Sequence, residues 1–184
     1  PERVLGMHFF NPPAAMKLVE LARAERTSDE VFSAAWDFVL MGLRKTPVYV
    51  KDTPGFIVNR VMRPYYVSSQ KLASGEAGFA AIDAEARSIG GVPMGPFELM
   101  DLIGLDPNPL ITKANWGALG KPERLPPPEL QSRLVEKGMT GRKAGKGFYL
   151  YAEGKPAGEN PEALALLPPN GAAPAEEWKT LAEA

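Results

Sequence analysis

The constraint that most restricts the fold is a change of hydrophobic pattern at Thr53-Pro54. Before this point, short apolar runs alternate with turn residues, as in the strands of a small sheet. After it, apolar residues recur at helical spacing, and glycines and prolines divide the segments. The sequence therefore predicts an α+β chain that is mainly α. The predicted strands cover residues 4–10, 16–22 and 48–50, with a further extended segment at 148–151.

Helix starts can be placed from capping residues. Ser28 can cap the first amides of a helix, and the two acidic residues that follow it favour the helix's positive end. Thr53-Pro54 is a second start signal. It predicts a long helix over residues 55–74, whose broad apolar ring indicates burial on more than one side. Further helices are predicted at residues 79–88, 96–103 and 128–136.

The composition excludes several kinds of site. The chain has no cysteine and one histidine, which excludes disulfides, cysteine nucleophiles and multi-histidine metal sites. Lysine plus arginine is 21 and aspartate plus glutamate is 22. This balance argues against a nucleic-acid partner, because polyanion binding needs a basic surplus. No apolar stretch approaches the ~20 residues of a membrane span and no signal segment is visible, so we expect no membrane partner and a cytoplasmic protein.

We expect both ends of the chain to be cuts in a longer protein. Pro1 leads almost directly into the first predicted strand. From residue 152 onward, the chain is rich in alanine, proline, glycine and glutamate, which predicts a linker, a disordered tail or the lead-in to another module. A few apolar residues in this tail indicate some docking: Leu164, Leu166, Leu167, Trp178 and Leu181.

His8 is the first candidate for acid–base chemistry, because its unperturbed pKa is close to neutral pH. It stands near the end of a predicted strand, before the turn Asn11-Pro12-Pro13. A packed core histidine fits this position equally well. Glu20 lies twelve residues later, in the next predicted strand. If the two strands are neighbours, its carboxylate can orient the imidazole and stabilise the imidazolium. Taken alone, Glu20 could also be an edge-strand residue that faces solvent.

Two further segments offer polar groups. Asn59 lies among apolar residues of the long predicted helix, where its amide must find partners. It could bond nearby backbone, or it could polarise a substrate carbonyl. The segment from Gly141 to Gly147 is basic and flexible and could hold a phosphate, or it could be a solvated turn. It matches neither the dinucleotide fingerprint nor the phosphate-binding loop.

Read in order, four segments resemble the NAD-dependent L-3-hydroxyacyl-CoA dehydrogenases. They are GMHFFNPPAAMKLVEL, KDTPGFIVNR, GVPMGPFELMDLIGLD and GRKAGKGFYLY, which start at Gly6, Lys51, Gly91 and Gly141. The resemblance spans about residues 4–151. It implies that His8 is the general base toward the substrate hydroxyl, with Glu20 as its partner and Asn59 beside the acyl group. It also implies cofactor contacts from Asn11 and Lys143, with NAD as the cofactor.

The resemblance implies a domain organisation as well. Residues 1–52 correspond to the trailing strands and helix of a Rossmann-like domain, whose upstream part with the glycine-rich turn is missing. Residues 53–151 correspond to an all-helical dimerisation and substrate domain, similar to the C-terminal domain of 6-phosphogluconate dehydrogenase. Residues 152–184 are the linker or lead-in. The implied partners are an acyl-CoA substrate and a second copy of the chain.

Three functions follow as hypotheses. The first is NAD-dependent oxidation of L-3-hydroxyacyl-CoA to 3-oxoacyl-CoA by the longer protein, with this chain nearly inactive alone. The second is a non-catalytic module for dimerisation or acyl-CoA binding. The third is a related dehydrogenase that acts on a hydroxy acid without CoA, because His8, Glu20 and Asn59 address the hydroxyl and carbonyl and not the acyl tail.

Overall fold

The computed structural model describes residues 1–73, 77–123 and 126–168. The chain forms two compact units, Pro1–Val61 and Met62–Ala184. The first unit contains β1 (Gly6–Phe9), β2 (Leu18–Arg23), α1 (Asp29–Asp37) with a π-helical extension (Phe38–Gly42), and β3 (Thr46–Lys51). The following elements are α2 (Val58–Leu72), α3 (Phe79–Gly90), α4 (Pro96–Ile103), α5 (Pro107–Ala118), α6 (Glu129–Glu136), β4 (Tyr149–Ala152), β5 (Lys155–Glu159) and α7 (Pro161–Leu164).

The first unit is a three-stranded sheet covered by α1. β2 lies in the centre, antiparallel to β1 and parallel to β3. Its alternate residues Val19 and Leu21 are fully buried against Val39, and aromatic residues of α1 complete this small core. Ser28 caps α1 as predicted, since its hydroxyl accepts the Val31 N–H at 3.3 Å. The three predicted strands are confirmed with different bounds: β1 is shorter than predicted, β2 begins two residues later and ends one residue later, and β3 is longer.

The helix start predicted at Thr53-Pro54 is wrong by several residues. Residues 54–57 form a turn, and α2 begins at Val58. The physical reason is the backbone of Gly55 and Phe56, whose φ angles of 78° and 44° belong to the left-handed region and cannot continue a right-handed helix. Burial on more than one side is confirmed for the part of α2 after residue 62, where Tyr66, Val67, Ser69, Gln70 and Leu72 are all buried.

The core of the second unit is built around three phenylalanines. Phe79, Phe97 and Phe148 are fully buried, and their ring centroids lie 4.8–5.0 Å apart in tilted and edge-on arrangements. They come from α3, from α4 and from the segment before β4. The predicted helices at α3, α4 and α6 are confirmed, because their apolar residues supply this core.

The sequence did not predict α5, because its buried side chains are polar. Asn108, Thr112 and Asn115 face inward, and the buried guanidinium of Arg63 donates to Asn108 Oδ1 at 2.6 Å and to Thr112 Oγ1 at 2.7 Å. Leu110 on the same helix is 72% exposed. A helix that buries its polar side chains carries no apolar stripe for a periodicity argument to find.

Part of the predicted linker is folded. β5 pairs antiparallel with β4, and Asn160 caps α7 by accepting the Glu162 N–H. The expected docking of Leu164, Leu166 and Leu167 is confirmed, because all three pack against the core of the second unit. Trp178 and Leu181 lie outside the described residues. Within residues 1–73, 77–123 and 126–168, no helix is both long and apolar enough for a membrane span.

Two buried aspartates connect the elements of the second unit. Asp83 of α3 accepts the N–H groups of Phe97 and Glu98 at the start of α4, and also the hydroxyl of Tyr149 at 2.7 Å. Asp101 of α4 accepts the N–H groups of Phe148 and Tyr149 at 3.0 and 2.9 Å. Burial raises the pKa of both carboxyls to about 6, so at neutral pH both remain mainly ionised and accept every one of these bonds.

We expect Asp101→Asn to destabilise the second unit by about 2–3 kcal/mol, because the amide places its own N–H₂ against a backbone donor. Urea unfolding of the two proteins measures this difference. The matched control is Glu136→Gln, an exposed acid of α6. Equal midpoints for Asp101→Asn and Glu136→Gln would show that these bonds contribute little.

Candidate active site

His8 and Glu20 meet across the first two strands. The register of β1 and β2 places the two residues directly opposite each other, and His8 Nδ1 lies 2.7 Å from Glu20 Oε2. The Glu20 side chain has no exposed surface, whereas the His8 side chain is 31% exposed. The structure therefore confirms that the carboxylate meets the imidazole. It also shows that Glu20 does not face solvent.

The second oxygen of Glu20 caps the start of α2. Glu20 Oε1 accepts the N–H groups of Ile57 and Val58, both at 2.9 Å. These amides lie at the positive end of α2, where a carboxylate is favoured electrostatically. One buried carboxylate therefore holds an imidazole on one side and a helix N-terminus on the other. The two amides and this cap were not predicted, because a cap is normally sought within three residues of the helix start.

This arrangement determines which nitrogen of His8 is available for chemistry. A carboxylate accepts hydrogen bonds and does not donate them, and Oε1 of this carboxylate already accepts two N–H groups. Nδ1 must therefore donate to Glu20, which leaves the lone pair on Nε2. The ring contacts Phe10 and Phe56, with centroid distances of 4.7 and 5.7 Å. An oriented, partly exposed imidazole with a basic Nε2 can take a proton from a bound hydroxyl.

The other predicted site residues have different positions. Asn59 is half-buried in the first turn of α2, one residue after Val58. Asn11 is exposed in the turn that follows β1. Lys143 belongs to the second unit, where it is exposed on a single 3₁₀ turn, Arg142–Ala144. The roles of Asn59, Asn11 and Lys143 stay predictions.

The glycine-rich segment has a structural explanation. Gly147 packs against the Asp101 side chain so closely that a methyl group there would overlap the carboxylate. Gly141 has a φ of 106°, and a Cβ at this position would lie 2.6 Å from the Asp101 carbonyl oxygen. These two glycines allow the backbone to approach Asp101, so phosphate binding is not needed to explain them. Among the described residues, no group of three or more histidine or acidic side chains could hold a metal ion.

Two family descriptions match this chain. Residues 1–53 match the 3-hydroxyacyl-CoA dehydrogenase NAD binding domain, and residues 55–151 match the 3-hydroxyacyl-CoA dehydrogenase C-terminal domain. This chain belongs to the 3-hydroxyacyl-CoA dehydrogenase family. The matched ranges divide close to the turn at residues 54–57. The family therefore includes both the segment with His8 and Glu20 and the helical segment after them.

Individual members of the family are similar over most of the chain. It is 42% identical over 153 residues to the human mitochondrial hydroxyacyl-coenzyme A dehydrogenase, with 82% of this chain and 48% of that protein covered. It is 45% identical over 150 residues to the Escherichia coli 3-hydroxyadipyl-CoA dehydrogenase, with 81% of this chain and 31% of that protein covered. The crystal structure of (S)-3-hydroxybutyryl-CoA dehydrogenase PaaH1 from Ralstonia eutropha matches with a TM-score of 0.76 at 36% identity, covering 83% of this chain and 53% of that one. This chain thus spans about half, or less, of the length of such relatives.

Replacement of Glu20 by glutamine should reverse the tautomer of His8. We expect the amide oxygen of the new side chain to stay on the two backbone N–H groups, so that its N–H₂ donates to Nδ1 and the ring proton moves to Nε2. Nitrogen NMR of the imidazole measures this directly, because the chain has one histidine. Glu25→Gln, an exposed acid of the same unit, is the control. An unchanged tautomer in the Glu20→Gln variant would contradict the assignment of the Nδ1 proton.

Proposed function

We propose that this chain supplies the proton-transfer part of an NAD-dependent 3-hydroxyacyl-CoA dehydrogenase, which oxidises L-3-hydroxyacyl-CoA to 3-oxoacyl-CoA in fatty acid or butanoate metabolism. The observation that carries the proposal is the buried Glu20 carboxylate, which orients a partly exposed His8. Membership of the dehydrogenase family supports it, as do the names of the relatives, which act on hydroxyacyl-CoA substrates.

The residues of this chain perform the proton step. His8 Nε2 accepts the proton of the C3 hydroxyl, and the carboxylate of Glu20 stabilises the imidazolium that forms. Asn59 would donate its amide N–H to the substrate carbonyl oxygen. Asn11 and Lys143 would hold NAD, and their side chains suit this role because both are exposed and polar. When bound, NAD supplies the hydride acceptor for C3.

The decisive assay is acetoacetyl-CoA reduction with NADH, using this chain and a version extended upstream. We expect activity only in the extended protein, since hydride transfer needs a positioned cofactor. His8→Gln should lower kcat of the extended protein by about 10²–10⁴-fold, the usual contribution of a general acid or base. Arg26→Gln, an exposed change in the same unit, is the control. An extended protein without activity, or a His8→Gln variant with the full rate, would reject the proposal.

A hydroxy-acid dehydrogenase without CoA is the second candidate. The structure of a diketoreductase that acts on dicarbonyl compounds matches with a TM-score of 0.64 at 27% identity, covering 80% of this chain and 51% of that one. A protein of similar fold is therefore named for a substrate class without CoA. The residues proposed for the proton step would contact only the hydroxyl and carbonyl region of a substrate. The same assay with free acetoacetate in place of acetoacetyl-CoA separates the two candidates. Faster turnover of the free acid would favour this second function.

We also propose that the second unit forms a homodimer. Its support is exposed apolar side chains on two consecutive helices: Leu102 and Ile103 of α4 are 41% and 48% exposed, and Leu110 of α5 is 72% exposed. This surface fits the dimerisation role proposed for residues 53–151, for which we also propose a fold like that of the C-terminal domain of 6-phosphogluconate dehydrogenase. A module that only dimerises or binds acyl-CoA would use the same surface.

The remaining proposals concern domain organisation and location. Residues 1–52 would be the trailing part of the nucleotide domain, and residues 152–184 would be the lead-in. The proposed location of the protein is the cytoplasm.

A charged side chain in the interface should weaken a dimer that forms through α4 and α5. We expect Leu110→Glu to shift sedimentation from dimer toward monomer, because an unpaired carboxylate would have to be buried in the interface. Lys113→Glu introduces the same acid on the same helix at an exposed polar position and is the control. A wild-type chain that stays monomeric at all concentrations would contradict the dimer.

A further inference from the structure

A groove at the edge of the first unit is lined by neither His8 nor Glu20. It has a volume of about 420 Å³ and is lined by residues at the end of β3 and at the start of α2. The volume falls within the range of about 300–1,000 Å³ that is usual for small-molecule sites. Tyr49, Ile57 and Val61 form its apolar wall and are 51%, 46% and 67% exposed. This is a considerable apolar surface for one short stretch of chain.

Two cations also line the groove. Lys51 and Arg60 contribute to its wall, and no acidic residue does. In the part of the chain that the structure describes, neither of these two side chains has a hydrogen bond or an ion pair. Two other cations of the first unit do have partners: Arg23 forms an ion pair with Asp29, and Lys45 donates to the carbonyl oxygens of Pro13 and Met16. An apolar wall with two cations that lack partners is complementary to a ligand with an apolar body and one anionic group.

We propose that this groove binds an aliphatic monocarboxylate, such as the anion of a medium-chain fatty acid. The carboxylate would lie between Lys51 and Arg60, and the alkyl chain would cover Tyr49, Ile57 and Val61. A phosphate of a nucleotide would satisfy the same cations. The apolar lining favours the alkyl chain, since the polar ring of a nucleotide would lose hydrogen bonds to water without replacement. The proposal does not depend on dehydrogenase activity.

Phe56 connects the groove to a spectroscopic probe. Its side chain lines the groove, and its ring centroid lies 5.7 Å from that of His8. A ligand that touches Phe56 will therefore alter the ring-current environment of the imidazole. Because the chain has one histidine, the imidazole gives a single set of signals, and binding can be followed without cofactor or substrate.

The experiment is a titration of the full 184-residue chain with sodium octanoate at constant pH, followed by the His8 signals. We expect a saturable shift. The double variant Lys51→Gln/Arg60→Gln should bind octanoate about tenfold more weakly, because it loses both charge-assisted contacts. The matched control is Lys17→Gln/Arg26→Gln, which removes two exposed cations of the same unit outside the groove and should keep the wild-type affinity.

Two further arms separate the possible sources of the signal. Val61→Asp places a charge beside the alkyl chain and should abolish the saturable shift, while circular dichroism shows that the variant is folded. Adenosine 3′,5′-bisphosphate should cause no saturable shift. Equal affinity in the two double variants, a linear response to octanoate, or saturation by the bisphosphate in place of octanoate would each overturn the proposal. The titration measures binding without cofactor or substrate, so its result is independent of whether the extended protein is active in the dehydrogenase assay.

Discussion

The Glu20 carboxylate is completely buried, and an unpaired charge in that position would cost several kcal/mol. Three donors satisfy it: the Nδ1–H of His8 and the N–H groups of Ile57 and Val58. These donors belong to β1 and to the segment that enters α2, whereas Glu20 itself is on the central strand. The requirement to satisfy one charge therefore connects three elements of the first unit. The orientation of the imidazole depends on the same bonds.

The second unit contains the same arrangement twice. Asp83 and Asp101 each accept two consecutive backbone N–H groups from another element and one side-chain hydroxyl, from Tyr149 and Tyr151 respectively. What distinguishes Glu20 is the nature of its third partner. Burial and the neighbouring carboxylates raise the pKa of both tyrosines, so these hydroxyls remain protonated and only fix the structure. The third partner of Glu20 is a partly exposed imidazole, the side chain that most often serves as a general acid or base. Chemistry is therefore expected at Glu20 and not at the two aspartates.

Local patterns predicted those parts of the fold that depend on local interactions. The apolar runs placed His8 and Glu20 on successive strands and left their pairing open, which the register of β1 and β2 then supplied. Ser28 located the start of α1 because its cap lies three residues away. The elements that sequence reasoning missed depend on distant partners. The start of α2 is capped by Glu20, which lies 37 residues before Ile57 and 38 residues before Val58. α5 is held by polar contacts to Arg63, so it has no apolar stripe. A pattern confined to one segment contains no information about such partners.

The turn between β3 and α2 shows how an interaction with a distant partner determines the candidate site. A left-handed backbone costs a residue with a side chain about 1–2 kcal/mol, yet Phe56 adopts a φ of 44° next to the more permissive Gly55. Two interactions offset this cost. The turn directs the amides of Ile57 and Val58 to the Glu20 carboxylate, and it places the Phe56 ring beside that of His8. A regular helix from Pro54 would use those amides within its own first turn and leave Glu20 with His8 alone. The late start of α2 is therefore a condition for the buried carboxylate, and through it for the orientation of His8.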